Sequence, residues 1–156
     1  MEAHSGISEK TIHTIAGNLA TLLADIHQLY IKTLAYHWNV EDARFSQLHE
    51  FFETLYQQLA QTMDEVAERI RKLGQFAPST LSKLTSLKRL GDTQDAQTGN
   101  QMISFLAEDF ERLCVWLRED IKNADELGDP GTSDMLVGIL RDSEKAAWML
   151  RSHLST

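Results

Sequence analysis

Between Phe45 and Leu73 the apolar residues fall at 45, 48, 52, 55, 59, 63, 66, 70 and 73. This three-and-four spacing predicts an amphipathic helix whose buried stripe is continuous over about eight turns. Similar patterns recur in three other stretches. Ile12, Ile15, Leu19, Leu22, Leu23, Ile26, Leu29, Tyr30 and Leu34 predict a first helix from about Ser8 to Trp38, with Ser8 as its N-cap. Met102, Phe105, Leu106, Phe110, Leu113, Trp116, Leu117 and Ile121 predict a third long helix from about Asp95 to Leu127, stopped by Gly128-Asp129-Pro130-Gly131. Met135, Leu136, Ile139, Leu140, Ala147 and Leu150 predict a fourth from about Thr132 to His153, capped by Thr132 or Ser133.

The connections decide how these helices are arranged. The turn from Asn39 to Arg44 is short, which makes the first two helices antiparallel neighbours, and the Gly-Asp-Pro-Gly turn does the same for the last two. Leu73-Gly74 is a glycine C-cap for the second helix. Beyond it lies a long connection punctuated by Pro78, Gly91 and Gly99, where Leu81, Leu84 and Leu87 mark a short helix after a Ser79 or Thr80 cap. Lys83, Lys88 and Arg89 within it read as a solvated face. The expected fold is all-α: a four-helix bundle with one long crossover that contains a short helix, the topology of ferritin-like folds.

A length of 156 residues, 42% hydrophobic and 24% charged, fits one soluble domain over 1–156, with residues 1–8 as a flexible tail. No apolar run approaches the ~18 residues of a membrane span, and MEAHSGISEK has neither a secretory core nor a transit pattern, so a cytoplasmic location is expected. The single Cys114 sits among Leu113, Trp116 and Leu117 and reads as a small core residue. A net charge of −8 and a pI near 5.2 oppose binding to phosphate backbones.

Candidate chemistry lies beside the stripe of the second helix. At ~100° per residue from Phe45, the apolar positions cluster between roughly −80° and 0°, while His49, Glu53, Asp64 and Glu68 fall at roughly 40°, 80°, 100° and 140°. Glu53 and Asp64 are about 16 Å apart along the axis, too far for one metal to bridge. A second copy packed antiparallel about a two-fold axis near Gln58 and Leu59 would set His49 and Glu53 of one chain opposite Asp64 and Glu68 of the other, giving two identical sites. His37, at the end of the first helix, could complete each site from the His49 side. Mixed imidazole and carboxylate donors suit Fe(II), Zn(II) or Mn(II) better than Mg or Ca, and no Cys is near enough for a structural zinc site. Any one acidic residue on a helix surface is ordinarily solvated decoration; the set carries the inference. His13 and His27 have no matched carboxylate in the pattern and read as solvated or core-edge residues.

The runs His37-Trp38-Asn39, Phe45-x-x-Leu48-His49-Glu50, Asp64-Glu65-x-Ala67-Glu68-Arg69-Ile70 and Leu73-Gly74 resemble the Dps family, the mini-ferritins, and the resemblance extends from about Thr11 to Leu154. It implies an inter-subunit two-iron ferroxidase centre with His37, His49 and Glu53 from one subunit and Asp64 and Glu68 from its mate, Glu53 standing where the family most often has Asp. It also implies that Trp38 lies close to the iron and absorbs oxidising equivalents; a large interface hydrophobe is the plainer reading. Of the acidic residues Glu119, Asp120, Asp125, Glu126, Asp129 and Asp134, for which helix-end solubility is the plain reading, the resemblance implies that Asp125 and Asp134 line three-fold entry pores. Pro130 stands where some relatives carry a further Asp. The usual intra-bundle Glu-x-x-His motif of ferritin-like proteins is absent.

The expected function is therefore that of a ferroxidase and iron-storage protein. By that resemblance it would oxidise Fe(II) with hydrogen peroxide in preference to dioxygen, with Zn as the competing metal, and would store ferric mineral in a hollow homododecamer built from two-fold dimers, protecting against oxidative damage. Some Dps proteins bind DNA through Lys-rich tails; here the first ten residues hold one Lys against two Glu and the last six one Arg, so weak or absent DNA binding and no membrane partner are expected. A nucleoid-compacting protein would need basic tails, and a purely structural assembly would have no use for the ligand flank.

Overall fold

The computed structural model describes residues 6–154. The helices are α1 (Glu9–Asn39), α2 (Phe45–Lys72), α3 (Leu81–Leu87), α4 (Gly99–Glu126) and α5 (Pro130–Leu154), with no strand among the described residues. This is the expected all-α bundle with a crossover that carries a short helix. Two antiparallel hairpins, α1 with α2 and α4 with α5, pack through α1 and α4, and α3 lies against α1. Residues 1–5, most of the expected N-terminal tail, lie outside the described residues; Ile7 packs against the core and the Ser8 hydroxyl accepts from Thr11 N.

Several boundaries differ from the sequence expectation. Helix α4 begins at Gly99, not near Asp95, because Thr98 caps it by accepting from Gln101 N. Gly99 is packed so tightly that an added Cβ would lie 2.4 Å from an Asp42 carboxylate oxygen and 2.6 Å from Leu48. Helix α5 begins at Pro130, whose fixed φ suits a first helical position, and neither Thr132 nor Ser133 is its cap. Asp129 does that work, accepting from Thr132 N at 3.1 Å and from the Thr132 hydroxyl at 2.5 Å. Arg69 of α2 also donates to Asp129 at 2.7 Å, so the turn between α4 and α5 is tied to the first hairpin. Burial pushes the Asp129 carboxyl up, but the bonds from Thr132 and Arg69 outweigh it and hold it below the usual range. Gly74 (φ 83°) and Gly128 (φ 74°) end α2 and α4 in the left-handed conformation, with bonds from Gln75 N to Ile70 O and from Asp129 N to Ala124 O closing the last turns.

The core follows the apolar stripes, and Cys114 is buried beside Leu113, where desolvation pushes the thiol up. Inside lie charges that the apolar pattern does not mark. Lys32 and Asp109 form a fully buried ion pair between α1 and α4. The Tyr36 hydroxyl, one turn on, donates to Gln94 O at 2.9 Å, and burial and the Asp109 charge push it up to about 12. Asp25 is buried too, accepting from Arg89 N, Arg89 Nε and Leu90 N, and so pins the crossover to α1. Arg89 is therefore not part of a solvated basic face. Its guanidinium is stacked 4.3 Å over Trp116 and lies 3.9 Å from Asp120. His13, expected to lack a carboxylate partner, has Glu9 at 3.8 Å one turn before it, both exposed.

Removing one member of the inner ion pair leaves an uncompensated charge, so Lys32→Met and Asp109→Leu alone should each lower stability by roughly 3–5 kcal/mol, and the double variant should regain most of that loss. Urea unfolding followed by circular dichroism checks this. Asp120 supplies a pH-dependent counterpart. Burial raises its carboxyl, Arg89 lowers it, Glu119 and Asp25 raise it, and the net value is about 6, with one oxygen buried and without a hydrogen bond. Between the usual carboxyl value and about 6 the folded chain holds a proton that the unfolded chain has released, so this group's contribution falls as pH rises through that window. In thermal melts from pH 4 to 7, Asp120→Asn should flatten that slope and raise stability at pH 7 by on the order of 2 kcal/mol.

Candidate metal centre

The short turn after α1 brings its last residues against the first turns of α2. His37, buried, and His49, half-buried, stack with ring centroids 3.8 Å apart and planes 21° from parallel. Each ring is fixed by the other's backbone: His37 Nδ1 lies 2.8 Å from His49 O, and His49 Nδ1 lies 2.9 Å from His37 O. A carbonyl only accepts, so both Nδ1 atoms carry a proton, and the nitrogen left to offer a lone pair is Nε2 in each ring. Neither Nε2 has a protein partner among the described residues. Orienting an imidazole through a backbone carbonyl is how metal-binding histidines are commonly held.

Further rings surround the pair. Phe45 stacks on His49 at 5.1 Å; Tyr56 meets His37 edge-on at 5.1 Å; Tyr30 meets Tyr56 edge-on at 6.1 Å. One turn beyond His49, Glu53 Oε1 accepts from Gln57 Nε2 at 3.2 Å and lies 3.5 Å from the Tyr56 hydroxyl. Burial and the Glu53 carboxylate push the Tyr56 phenol up. Tyr56 was not singled out from the sequence, although at roughly 20° on the helical wheel it sits between the apolar stripe and the ligand flank.

Farther along α2, Asp64 and Glu68 are exposed. Asp64 has no hydrogen bond or ion pair among the described residues, and Glu68 lies 3.7 Å from Lys72, also exposed. His27, another residue outside the expected site, lines an open depression with Asp64, Met63 and Pro78, and burial holds its imidazole below the usual value. The histidine end and the Asp64 end remain apart within one chain, and among the described residues no three His, Cys, Asp or Glu side chains come together to hold a metal. Trp38 follows His37 but is 68% exposed and makes no ring contact with the site; with Val40, Asp42 and Phe45 it borders an open depression. Asp125 and Asp134 are exposed on either side of the turn between α4 and α5, whereas Asp129, from the same acidic group, is buried in its capping role.

No helix among the described residues is long and apolar enough to cross a membrane. Residues 16–156 match the ferritin-like domain family. The DNA protection during starvation protein 2 of Bacillus anthracis is 35% identical over 133 residues, 85% of this chain and 91% of the relative. Among solved structures, the Dps protein of Vibrio cholerae O1, described as a member of a broad superfamily of ferritin-like diiron-carboxylate proteins, superposes with a TM-score of 0.93 at 30% identity, over 99% of this chain and 98% of that one. The Dps protein of Bacillus brevis gives a TM-score of 0.91 at 31% identity, over 96% and 100% of the two chains. With family match, relatives and superposed folds in agreement, the chain belongs to the ferritin-like family, on its Dps branch.

Proposed function

We propose that this protein is a ferroxidase and iron-storage protein that oxidises Fe(II) at sites shared between two subunits and guards its cell against oxidative damage. The observation that carries the reading is the mutual fixing of His37 and His49, which holds two imidazoles side by side with neither Nε2 bonded to protein among the described residues. A ligand pair so arranged, with Glu53 one turn away, is half of a metal site. Asp64 and Glu68, exposed on the same flank of α2, supply the other half when a second copy packs antiparallel about the helix midpoint.

In that arrangement His37, His49 and Glu53 of one subunit and Asp64 and Glu68 of its mate bind the Fe(II) substrate as a two-iron centre. The carboxylates favour the more highly charged ferric product, and the imidazoles hold the metal with positions left open to the oxidant. Hydrogen peroxide is the preferred oxidant, because two irons deliver its two electrons together and no hydroxyl radical is released. Zn(II) competes for the same donors. Glu53 reaches one methylene farther than the Asp common in the family and keeps the same donor type. Trp38 borders the subunit contact, Asp125 and Asp134 draw Fe(II) through three-fold pores, and the ferric mineral collects inside a cytoplasmic homododecamer. The acidic chain binds DNA weakly or not at all.

Three experiments test this. Stopped-flow absorbance should show rapid peroxide-driven Fe(II) oxidation that falls at least about tenfold in the Asp64→Ala, Glu68→Ala variant; equal rates would remove the site assignment. Co-assembling that variant with His37→Ala, His49→Ala subunits should rebuild about one site in four, since each mixed dimer regains one intact site. A site contained in one chain would stay dead in every mixture. For DNA, a mobility-shift assay at physiological salt should show no retarded duplex, whereas tight, salt-sensitive binding would contradict the charge argument.

A further inference from the structure

We infer that His27 is a further ligand of the proposed Fe(II) site, contributed by the same subunit as Asp64 and Glu68, so that each half of the centre brings an imidazole to the metal. This rests on the reading of the centre as shared between two subunits about the midpoint of α2. His27 of α1 and Asp64 of α2 line one open depression, and the small side chains of Ala60 and Ala67 line it with them and leave it unfilled. His27 is half-buried and Asp64 exposed, and neither side chain has a hydrogen bond, ion pair or ring contact among the described residues. A histidine serving the core would be satisfied there, and one that only orients Asp64 would be hydrogen-bonded to it. His27 is neither.

Its level in the hairpin also fits. From His27 to His37 the chain climbs about 15 Å along α1, and from Glu53 to Asp64 about 16 Å along α2, at 1.5 Å per residue. His37 stacks against His49 at one level, and His27 shares a depression with Asp64 at the other. An antiparallel second copy that sets His49 and Glu53 opposite Asp64 and Glu68 therefore brings the His37 level of one subunit to the His27 level of its mate. The other histidines of the described residues lie elsewhere. His13 is beside Glu9, both exposed, and His153 is stacked on Phe51.

The donor type decides what this half of the site holds. Asp64 and Glu68 by themselves are an all-oxygen pair, which suits Mg(II) or Ca(II) as well as Fe(II). Glu68 is moreover 3.7 Å from the Lys72 ammonium, which competes for its charge. An added imidazole shifts the preference toward first-row transition metals. Because an imidazole is mostly uncharged at neutral pH, it supplies a lone pair without repelling the cation. His27 thus selects Fe(II) over Mg(II) on the side of the centre where the carboxylates alone would discriminate least.

Co(II), which takes the same donors and reports its ligands in its visible absorption, is the probe. Crystals of the assembled wild-type protein soaked in Co(II) and measured at the cobalt edge should place the ion within about 2.2 Å of a His27 nitrogen as well as at Asp64. This reading needs no variant to fold. In solution, His27→Leu, whose side chain suits the apolar part of the lining, and His27→Gln, closer in size, should each weaken Co(II) binding at least about tenfold, the least that losing even a ligand's supporting partner costs. Both should change the cobalt absorption bands and let Mg(II) compete more strongly, whereas His13→Ala should bind as wild type does. The inference is overturned if cobalt sits among His37, His49, Glu53, Asp64 and Glu68 with His27 turned away, or if the two His27 variants keep wild-type affinity. Cobalt absent from that cluster altogether would instead sink the shared-site reading, and the role of His27 with it.

Discussion

The bond pair between the His37 and His49 side chains and each other's backbone is the contact on which the proposed chemistry depends. It is local in cause, because a short turn between two antiparallel helices leaves the last turn of α1 beside the first turn of α2. Its effect is chemical. Two imidazoles that would otherwise rotate and share their protons between nitrogens are held in one tautomer and one stack. Both contacts lie within the α1 and α2 hairpin.

The rest of the bundle keeps that hairpin in place through a few buried charges. Lys32 with Asp109 joins α1 to α4, Asp25 with Arg89 joins α1 to the crossover, and Arg69 with Asp129 joins α2 to the turn before α5. Each spans elements far apart in sequence, and each is costly if left half-made. Apolar stripes can slide past one another by a turn with modest loss. A buried ion pair cannot, so these contacts set the register in which the ligand flank of α2 is presented.

Much of this was legible before any coordinates. The apolar spacing gave four long helices and the short α3, Gly74 marked the end of α2, and Ser8 and Thr80 were caps as their chemistry suggested. Of the expected ligand residues, His49, Glu53, Asp64 and Glu68 are on α2 and none of them is among its buried residues, while His37 ends α1. What failed did so for identifiable reasons. Asp129 looked like surface charge because a capping role shows only when the helix start is known, and Pro130 moved that start two residues upstream of the expected Thr132. Arg89 looked solvated because its partner Asp25 is 64 residues away and carries no local signal. Lys32 and Asp109 were invisible for the same reason. The ring series through Tyr56 was hidden by its position at the margin of the apolar stripe, where an aromatic reads as ordinary core.

The placement of Lys32 has a consequence for how the fold is used. Many ferritin-like bundles keep a metal among inward-pointing Glu-x-x-His motifs in their middle. Here an ammonium group sits fully buried between α1 and α4, already matched to the Asp109 carboxylate. A tethered monovalent charge of that kind both repels an incoming dication and consumes the anionic partner that would attract it. Between α1 and α4, therefore, the buried carboxylate is already neutralised from within the chain and offers a dication no spare anionic donor.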